Sequence, residues 1–233
     1  VNCQIAGQKN LILYIQMRRE IYVVEGVRTP FTKFGTDLSD EHPQLLGVSA
    51  AKAAFAKSGV DPAIVDHVVF GCCIPPGNTI GNISRYIGVR SGVPEEVPAA
   101  TVHRNCASGF EAITYACDKA QAGKGEVFLV GGVESMSRAP FLFPHDTVKK
   151  FTDLSRSRSL TKKVSSAIKF RPGDFSPEIS LKLGLVDNLC DMNMGETAEL
   201  LAREYGISRK EQDQFAEWSH RKAIAAQNEG LFD

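Results

Sequence analysis

The sequence predicts an α/β fold in which a mainly parallel sheet lies between helices, followed by a second region of helices and loops. Two observations support this prediction. Short apolar runs alternate with single segments of helical periodicity up to about Gly132, and the pattern changes after Met136. Strands that are joined by single helices imply right-handed crossovers and parallel pairing. We therefore expect a first α/β domain over 17–137 and a partial helical and loop insertion domain over 138–233.

Four apolar runs are predicted to be strands. They cover residues 21–26 (IYVVEG), 65–70 (VDHVVF), 97–102 and 126–130 (EVFLV). The first of them is bounded by charged residues and a glycine. A short apolar run of this kind is typical of a strand that is buried between helices.

Three segments between these runs have helical periodicity, at 43–58, 79–90 and 107–121. In the first segment the apolar residues recur at helical spacing, and Gly59 is placed to end the helix. One helix thus follows each of the first three predicted strands, as the crossover rule requires.

The region 138–233 has a different character. Residues 138–158 are predicted to be loop-like, and helices are predicted over 195–205 and 209–229, the second opened by a capping box, SRKE, at 208–211. Its basic side chains are Lys149, Lys150, Arg156, Arg158, Lys162, Lys163, Lys169 and Arg171. These cations fit a solvated surface and a site for phosphate groups equally well.

Residues 1–16 show neither turn signals nor clear periodicity, and the sequence does not begin with Met. We interpret Met17 as the natural start of the protein. Residues 1–16 would then be upstream or artificially added sequence, and they are left out of the predicted fold.

Charge and cysteine content argue against several function classes. Basic and acidic side chains number 27 each, so no global field attracts nucleic acid or an anionic membrane. None of the six cysteines forms a C-x-x-C pair, so no metal site is predicted and free thiols in a reducing compartment, the cytoplasm, are expected. No apolar run approaches the roughly 20 residues of a membrane-spanning helix.

Cys106 is the candidate nucleophile. A predicted strand ends at Val102, and Cys106 stands where the helix predicted from Ala107 would begin. The free N–H groups and partial positive charge of a helix N-terminus favour a thiolate. Small Ala107, Ser108 and Gly109 would let a substrate approach the backbone. The alternative is that Cys106 is a small buried apolar residue, as many free cysteines are.

Three further residues, at the ends of predicted strands, carry weaker signals of a functional role. His103 could pair with Cys106 as a dyad, or it could end its strand and form a local hydrogen bond. Cys72 and Cys73 follow a predicted strand at its carboxyl end, where parallel sheets place their sites, so one of them could line a pocket.

Motifs from residue 17 to the end of the chain resemble the thiolase family. NCASGFEAI (105–113) looks like the family's acyl-enzyme signature, and other family motifs recur in the expected order. They are VEGVRTPF (24–31), GNTIGNISRYIGVRSGVP (77–94), GGVESMSRAP (131–140) and MGETAELLAREYGISRKEQDQFA (194–216). Several long motifs in order are more specific than any single short pattern.

The resemblance implies a fold and a reaction. Thiolases have two similar α/β domains stacked in five layers, with a loop domain that binds coenzyme A (CoA) inserted in the first. Cys106 would take the acyl group of a 3-ketoacyl-CoA, release acetyl-CoA and pass the acyl group to free CoA, and the reverse reaction would be a Claisen condensation. CoA is a substrate here, and no cofactor is expected. Family members are usually homodimers or homotetramers.

Two family motifs do not occur in these 233 residues: the Gly-His-Pro motif of the catalytic base and the Cys-x-Gly motif of the second cysteine. We therefore expect a truncated chain that lacks the C-terminal domain and has little or no turnover alone. In the loop-domain motif, Asn193 precedes Met194 where the family has a histidine. The resemblance makes these two residues the expected, altered contacts to the pantetheine of CoA.

The substrate range is a finer question. The basic stretch and the long segment 151–189 look more like the degradative long-chain thiolases, similar to the β subunit of the trifunctional β-oxidation complex, which would imply a partner subunit. An acetoacetyl-CoA thiolase is an alternative, and so is a CoA-binding module without turnover. A ketoacyl carrier-protein synthase shares the fold and nucleophile but fits NCASGFEAI less well.

Overall fold

The computed structural model describes residues 19–75 and 81–232, apart from the side chains of 181–182. The predicted upstream segment 1–16 lies outside the described residues. Contacts divide the chain into two compact units, Val1–Ile179 and Ser180–Asp233. The domain boundary predicted after residue 137 does not coincide with this division and stays a prediction.

Helices and strands alternate along the first unit from Pro43 to Gly132, and two short strands and two helices follow up to Ile179. Its helices are α1 (Pro43–Ser58), α2 (Ile83–Arg90), α3 (Ser108–Gln121), α4 (His145–Arg156) and α5 (Leu160–Ala167). Its strands are β1 (His67–Gly71), β2 (Ala99–Val102), β3 (Phe128–Gly132), β4 (Phe141–Leu142) and β5 (Glu178–Ile179). The second unit contains α6 (Ser180–Gly184), β6 (Val186–Asp187), β7 (Met192–Asn193), α7 (Met194–Glu204) and α8 (Arg209–Asn228).

The first unit is built on a three-stranded parallel sheet in the order β2-β1-β3. Val69 of the central strand pairs with Ala100 on one side and Val130 on the other. Four of the five residues of β1 are buried, because strands cover both its edges and helices pack on it. The prediction of an α/β fold with a mainly parallel sheet is confirmed.

The predicted helices of the alternating part are present, with small shifts at their ends. Helix α1 has the predicted bounds, and Gly59 ends it with a φ of +70°. Helix α2 begins at Ile83, because Asn82 caps it: the Asn82 side chain accepts the N–H of Arg85 at 3.3 Å. The predicted start at residues 79–80 lies outside the described residues. The cap is a local side-chain interaction that apolar spacing does not reveal.

The strand predicted over 21–26 is wrong. These residues pair with no strand in the described part of the chain, and the side chains of Tyr22, Val23 and Val24 are largely exposed. A strand requires a neighbouring strand for its backbone hydrogen bonds, and an apolar run does not supply one. The segment is held instead at Arg19, whose N–H and carbonyl both bond the side chain of Gln121 at 3.0 and 2.8 Å.

The loop predicted over 138–158 is also wrong, since it contains β4 and the 12-residue helix α4. Strand β4 pairs antiparallel with β5. Lys150 on α4 forms a 2.7 Å ion pair with Asp174, which also accepts the hydroxyl of the buried Thr147. The partners of these elements lie more than twenty residues away in sequence, so local patterns did not indicate them.

Glycines set the distance between helix α3 and the sheet. A Cβ built on Gly71, the last residue of β1, would overlap the carbonyl group of Ser108 and lie 2.7 Å from the N of Gly109. A Cβ on Gly132, the last residue of β3, would lie 3.1 Å from the Cα of Gly109. The first turn of α3 therefore rests directly on the backbone at the carboxyl ends of two strands.

We expect Gly71→Ala to lower the free energy of unfolding by about 1–3 kcal/mol, because the added methyl must displace the backbone of α3. Urea denaturation measures the change. The matched control is Gly173→Ala, where a Cβ meets nothing within 4 Å and the change should stay within about 0.5 kcal/mol. Equal stability of Gly71→Ala and the parent would contradict this packing.

Candidate active site

Cys106 lies on the short connection between β2 and α3, at the carboxyl edge of the parallel sheet. Helix α3 begins at Ser108, so Cys106 immediately precedes the N-cap residue Ala107. The Cys106 residue is exposed, and the alternative of a buried apolar cysteine is therefore wrong. An exposed thiol at the N-terminal end of a 14-residue helix is in a position where the helix dipole favours negative charge.

The turn that carries Cys106 has an unusual backbone. Asn105 has a φ of +45°, in the left-handed region that residues with a Cβ seldom adopt. The N–H of Ala107 donates to the Arg104 carbonyl at 3.0 Å, and the N–H of Ser108 donates to the Asn105 carbonyl at 3.1 Å. Cys106 thus lies in a tight turn, in which backbone hydrogen bonds join the two residues before it to the two residues after it.

The turn is also tied to the first turns of α3 by charge. The guanidinium of Arg104 forms an ion pair with the carboxylate of Glu111 at 2.7 Å. Arg104 is largely exposed, so the pair contributes little to stability by itself. The pair directs the Arg104 side chain, two positions before Cys106, toward α3.

A second loop borders the site from the end of β1, and Glu134 holds it. The carboxylate of Glu134 accepts the backbone N–H groups of Cys73 at 2.8 Å and Ile74 at 3.1 Å. The carbonyl of Cys73 in turn accepts a hydrogen bond from Nε2 of His103 at 3.1 Å. The hydrogen bond of His103 is thus not the local one that was predicted as an alternative to the dyad: it joins the loop after β1 to the end of β2.

The cysteines near the site differ in character. Burial, followed by the nearby Glu134 carboxylate, raises the pKa of Cys72 to about 12. Burial, Glu134 and the charge of Cys106 raise the pKa of Cys73, in that order of importance. Cys72 is thus a core residue, whereas the half-buried Cys73 lies close enough to Cys106 to be influenced by it.

Asn193 and Met194 belong to the second unit, where they form the start of α7. The side chain of Asn193 accepts the N–H of Glu196 at 3.0 Å, and Glu196 accepts the N–H of Asn193 at 2.8 Å, which completes a capping box. Met194 is 59% exposed. Asn193 also lines a shallow groove, together with Met192, Gly195, Glu196, Glu199 and Arg203. The predicted contact of Asn193 and Met194 with pantetheine stays a prediction.

Two features of the candidate site were not predicted. One is the Glu134 carboxylate, and the other is the Ser108 hydroxyl in the turn. Glu134 could have been found, because it follows β3 directly and the carboxyl ends of parallel strands meet at one edge of a sheet. Ser108 had been predicted to leave room for substrate. It is instead 5% exposed and bonds within the turn.

Within residues 19–75 and 81–232, no helix is both long enough and apolar enough to cross a bilayer. No three His, Cys, Asp or Glu side chains in those ranges come together as possible metal ligands.

The fold agrees with the comparisons to known proteins. The sequence profile of the thiolase N-terminal domain matches residues 21–233. The chain belongs to the thiolase family.

Individual members of the family match most of the chain. Bos taurus trifunctional enzyme subunit beta, mitochondrial, is 35% identical over 91% of this chain and 44% of its own length. Human mitochondrial 3-ketoacyl-CoA thiolase is 35% identical over 92% of this chain and 49% of its own length. The solved structure of that human enzyme in complex with CoA has a TM-score of 0.74 at 34% identity, covering 91% of this chain and 49% of the other. The chain spans about half the length of the curated relatives it matches.

The cysteines should differ in their reaction with iodoacetamide at pH 8. A pKa of about 12 leaves about one Cys72 in ten thousand as thiolate at that pH, and its thiol is also buried. We expect Cys106 to be alkylated in the folded protein, while Cys72 reacts only after denaturation. Peptide mass spectrometry distinguishes the two sites. Alkylation of Cys72 before Cys106 would contradict the arrangement described above.

Proposed function

We propose that this chain carries the acyl-accepting part of an acyl-CoA:acetyl-CoA C-acyltransferase, with Cys106 as the nucleophile. The single observation that supports this most is the exposed thiol at the N-terminal end of α3, at the carboxyl edge of the parallel sheet. A nucleophile so placed is partly activated by the helix before any base acts. Membership of the thiolase family fits this chemistry.

In the proposed reaction the Cys106 thiolate attacks the 3-keto carbon of a 3-ketoacyl-CoA. The bond between C2 and C3 breaks, the acyl group stays on Sγ as a thioester, and the acetyl-CoA carbanion that leaves takes up a proton. Free CoA, as thiolate, then attacks the thioester and carries the acyl group away, which restores Cys106. The same steps in reverse join two acyl-CoA molecules.

Efficient turnover needs a proton donor and base as well as the nucleophile. In the family these are the histidine of Gly-His-Pro and the cysteine of Cys-x-Gly, and neither motif occurs in the 233 residues. The chain also spans about half of its relatives. We therefore propose that these residues alone become acylated at Cys106 but turn over slowly, and that the complete enzyme is a homodimer or homotetramer.

The two leading candidate functions differ in the length of the acyl chain that the enzyme accepts. Similarity to the bovine trifunctional enzyme subunit favours a degradative enzyme of β-oxidation with a partner subunit. Similarity to a solved Bacillus anthracis acetyl-CoA acetyltransferase, at 32% identity and a TM-score of 0.74, favours acetoacetyl-CoA instead.

The cellular compartment stays a prediction, the cytoplasm. The relatives include both a mitochondrial enzyme and a bacterial one, at similar identity.

Incubation with acetoacetyl-CoA or a longer 3-ketoacyl-CoA should leave an acyl adduct on Cys106, detected by intact and peptide mass spectrometry. Cys106→Ser should lower adduct formation at least about tenfold, because a serine hydroxyl is a far weaker nucleophile than a thiolate at neutral pH. Cys117→Ser, on the same helix, is the control and should label as the parent does. Labelling that survives in Cys106→Ser would contradict the proposal, and a parent that binds CoA without any adduct would indicate a binding module.

We also propose that Asn193 and Met194 contribute to CoA binding, as the family resemblance implies. Asn193 caps α7, so changing it would disturb the helix, whereas the exposed Met194 can be replaced cleanly. Met194→Ala should weaken CoA binding several-fold by calorimetry, because apolar contact area is lost. The iodoacetamide reaction of Cys106 should not change. Unaltered CoA affinity in Met194→Ala would contradict this assignment.

A further inference from the structure

The hydroxyl of Ser108 closes the turn around Cys106. Its oxygen accepts the N–H of Arg104 at 2.9 Å and donates to the carbonyl of Asn105 at 2.6 Å. One side chain thus bonds both residues that precede the nucleophile, from the position two residues after it. Because Ser108 is 5% exposed, water cannot readily replace either bond.

These bonds act where the backbone most needs support. The left-handed conformation of Asn105 costs free energy relative to the right-handed one, although asparagine tolerates it better than other residues with a Cβ, and hydrogen bonds around the turn help to hold it. The carbonyl of Asn105 accepts both the N–H and the hydroxyl of Ser108. Without the hydroxyl, the N–H of Arg104 would lose its acceptor. The carbonyl of Asn105 would keep only one of its two hydrogen bonds.

Ser108 is also the point where the turn meets the sheet. Its own carbonyl occupies the space beside Gly71 that a side chain would otherwise fill. The backbone of Ser108 is therefore fixed against β1. The two hydrogen bonds of its hydroxyl connect this fixed backbone to Arg104 and Asn105 in the turn. Ser108 is therefore one of the residues that set the location of the Cys106 sulfur relative to the sheet.

We propose that Ser108 is a positioning residue that holds Cys106 in its reactive orientation at the N-terminal end of α3. Ser108 does not contact the reacting atoms. Its effect on acylation rests on the proposed function of Cys106, whereas its effect on the thiol itself can be measured independently.

The test compares Ser108→Ala with the parent in two reactions at one pH. The rate of Cys106 alkylation by iodoacetamide should fall several-fold, because a sulfur displaced from the helix end loses the favourable interaction of its thiolate with the free N–H groups there. With saturating 3-ketoacyl-CoA the rate of adduct formation should fall about tenfold or more, because small displacements of a reacting group in a bound complex have large effects on rate. The CoA thioester concentration that gives half the maximal rate should stay the same, since the Ser108 side chain is buried and both its hydrogen bonds lie within the turn.

A matched control removes an equally buried serine hydroxyl elsewhere. Ser91, at the end of α2, is 6% exposed and donates to the Ile87 carbonyl at 2.6 Å. Ser91→Ala should cost comparable stability but leave the Cys106 rates unchanged. Ser108→Thr keeps the hydroxyl and should retain most of the parent rate. Protection of Cys72 from alkylation reports that each variant is folded.

Should Ser108→Ala not fold, Asn105→Ala affects the same turn from an exposed position, and it should slow the alkylation of Cys106 because alanine disfavours a positive φ. A folded Ser108→Ala or Asn105→Ala protein that alkylates at the parent rate would overturn the proposal. A parent that alkylates at Cys106 but is never acylated would instead count against the proposed function and leave the role of Ser108 intact.

Discussion

The candidate site depends on the contact between the first turn of α3 and the ends of two strands. Gly71, Gly109 and Gly132 meet there, backbone against backbone, and no side chain separates them. Because the helix begins at this contact, its N-terminal end is fixed at the carboxyl edge of the sheet. The glycines thereby place the N-terminal end of α3, and with it the turn that carries Cys106, at the carboxyl edge of the sheet.

Around this contact, hydrogen bonds from polar side chains hold the loops in place, and the cysteine thiols differ in how deeply they are buried. Glu134 fixes the loop after β1 through backbone N–H groups, and His103 joins that loop to β2. Cys72 lies inward of the loop, where burial keeps it protonated, and Cys106 lies outward in solvent. Three cysteines at one edge of a sheet therefore have different chemistry, and the difference comes from position rather than residue type.

Much of the fold could be predicted because its signals are local. Helix α1 and its terminal Gly59, the capping box at Ser208 and the three strands of the parallel sheet each depend on residues within a few positions of one another. The two errors have a different origin. The apolar run at 21–26 has the composition of a strand without a pairing partner in the described residues, and α4 is held by Asp174 from a distant part of the chain.

The sequence by itself determined the family and the alternation of strands and helices, and it singled out Cys106 as the candidate nucleophile, since each follows from residues adjacent in the chain. Only the tertiary structure decided that Cys106 is exposed while Cys72 is buried, that His103 bonds Cys73, and that the Ser108 hydroxyl turns inward. The physical reason is that burial and side-chain hydrogen bonding are properties of a packed environment. That environment is assembled from strands and helices whose contacts span tens of residues, which local pattern does not encode.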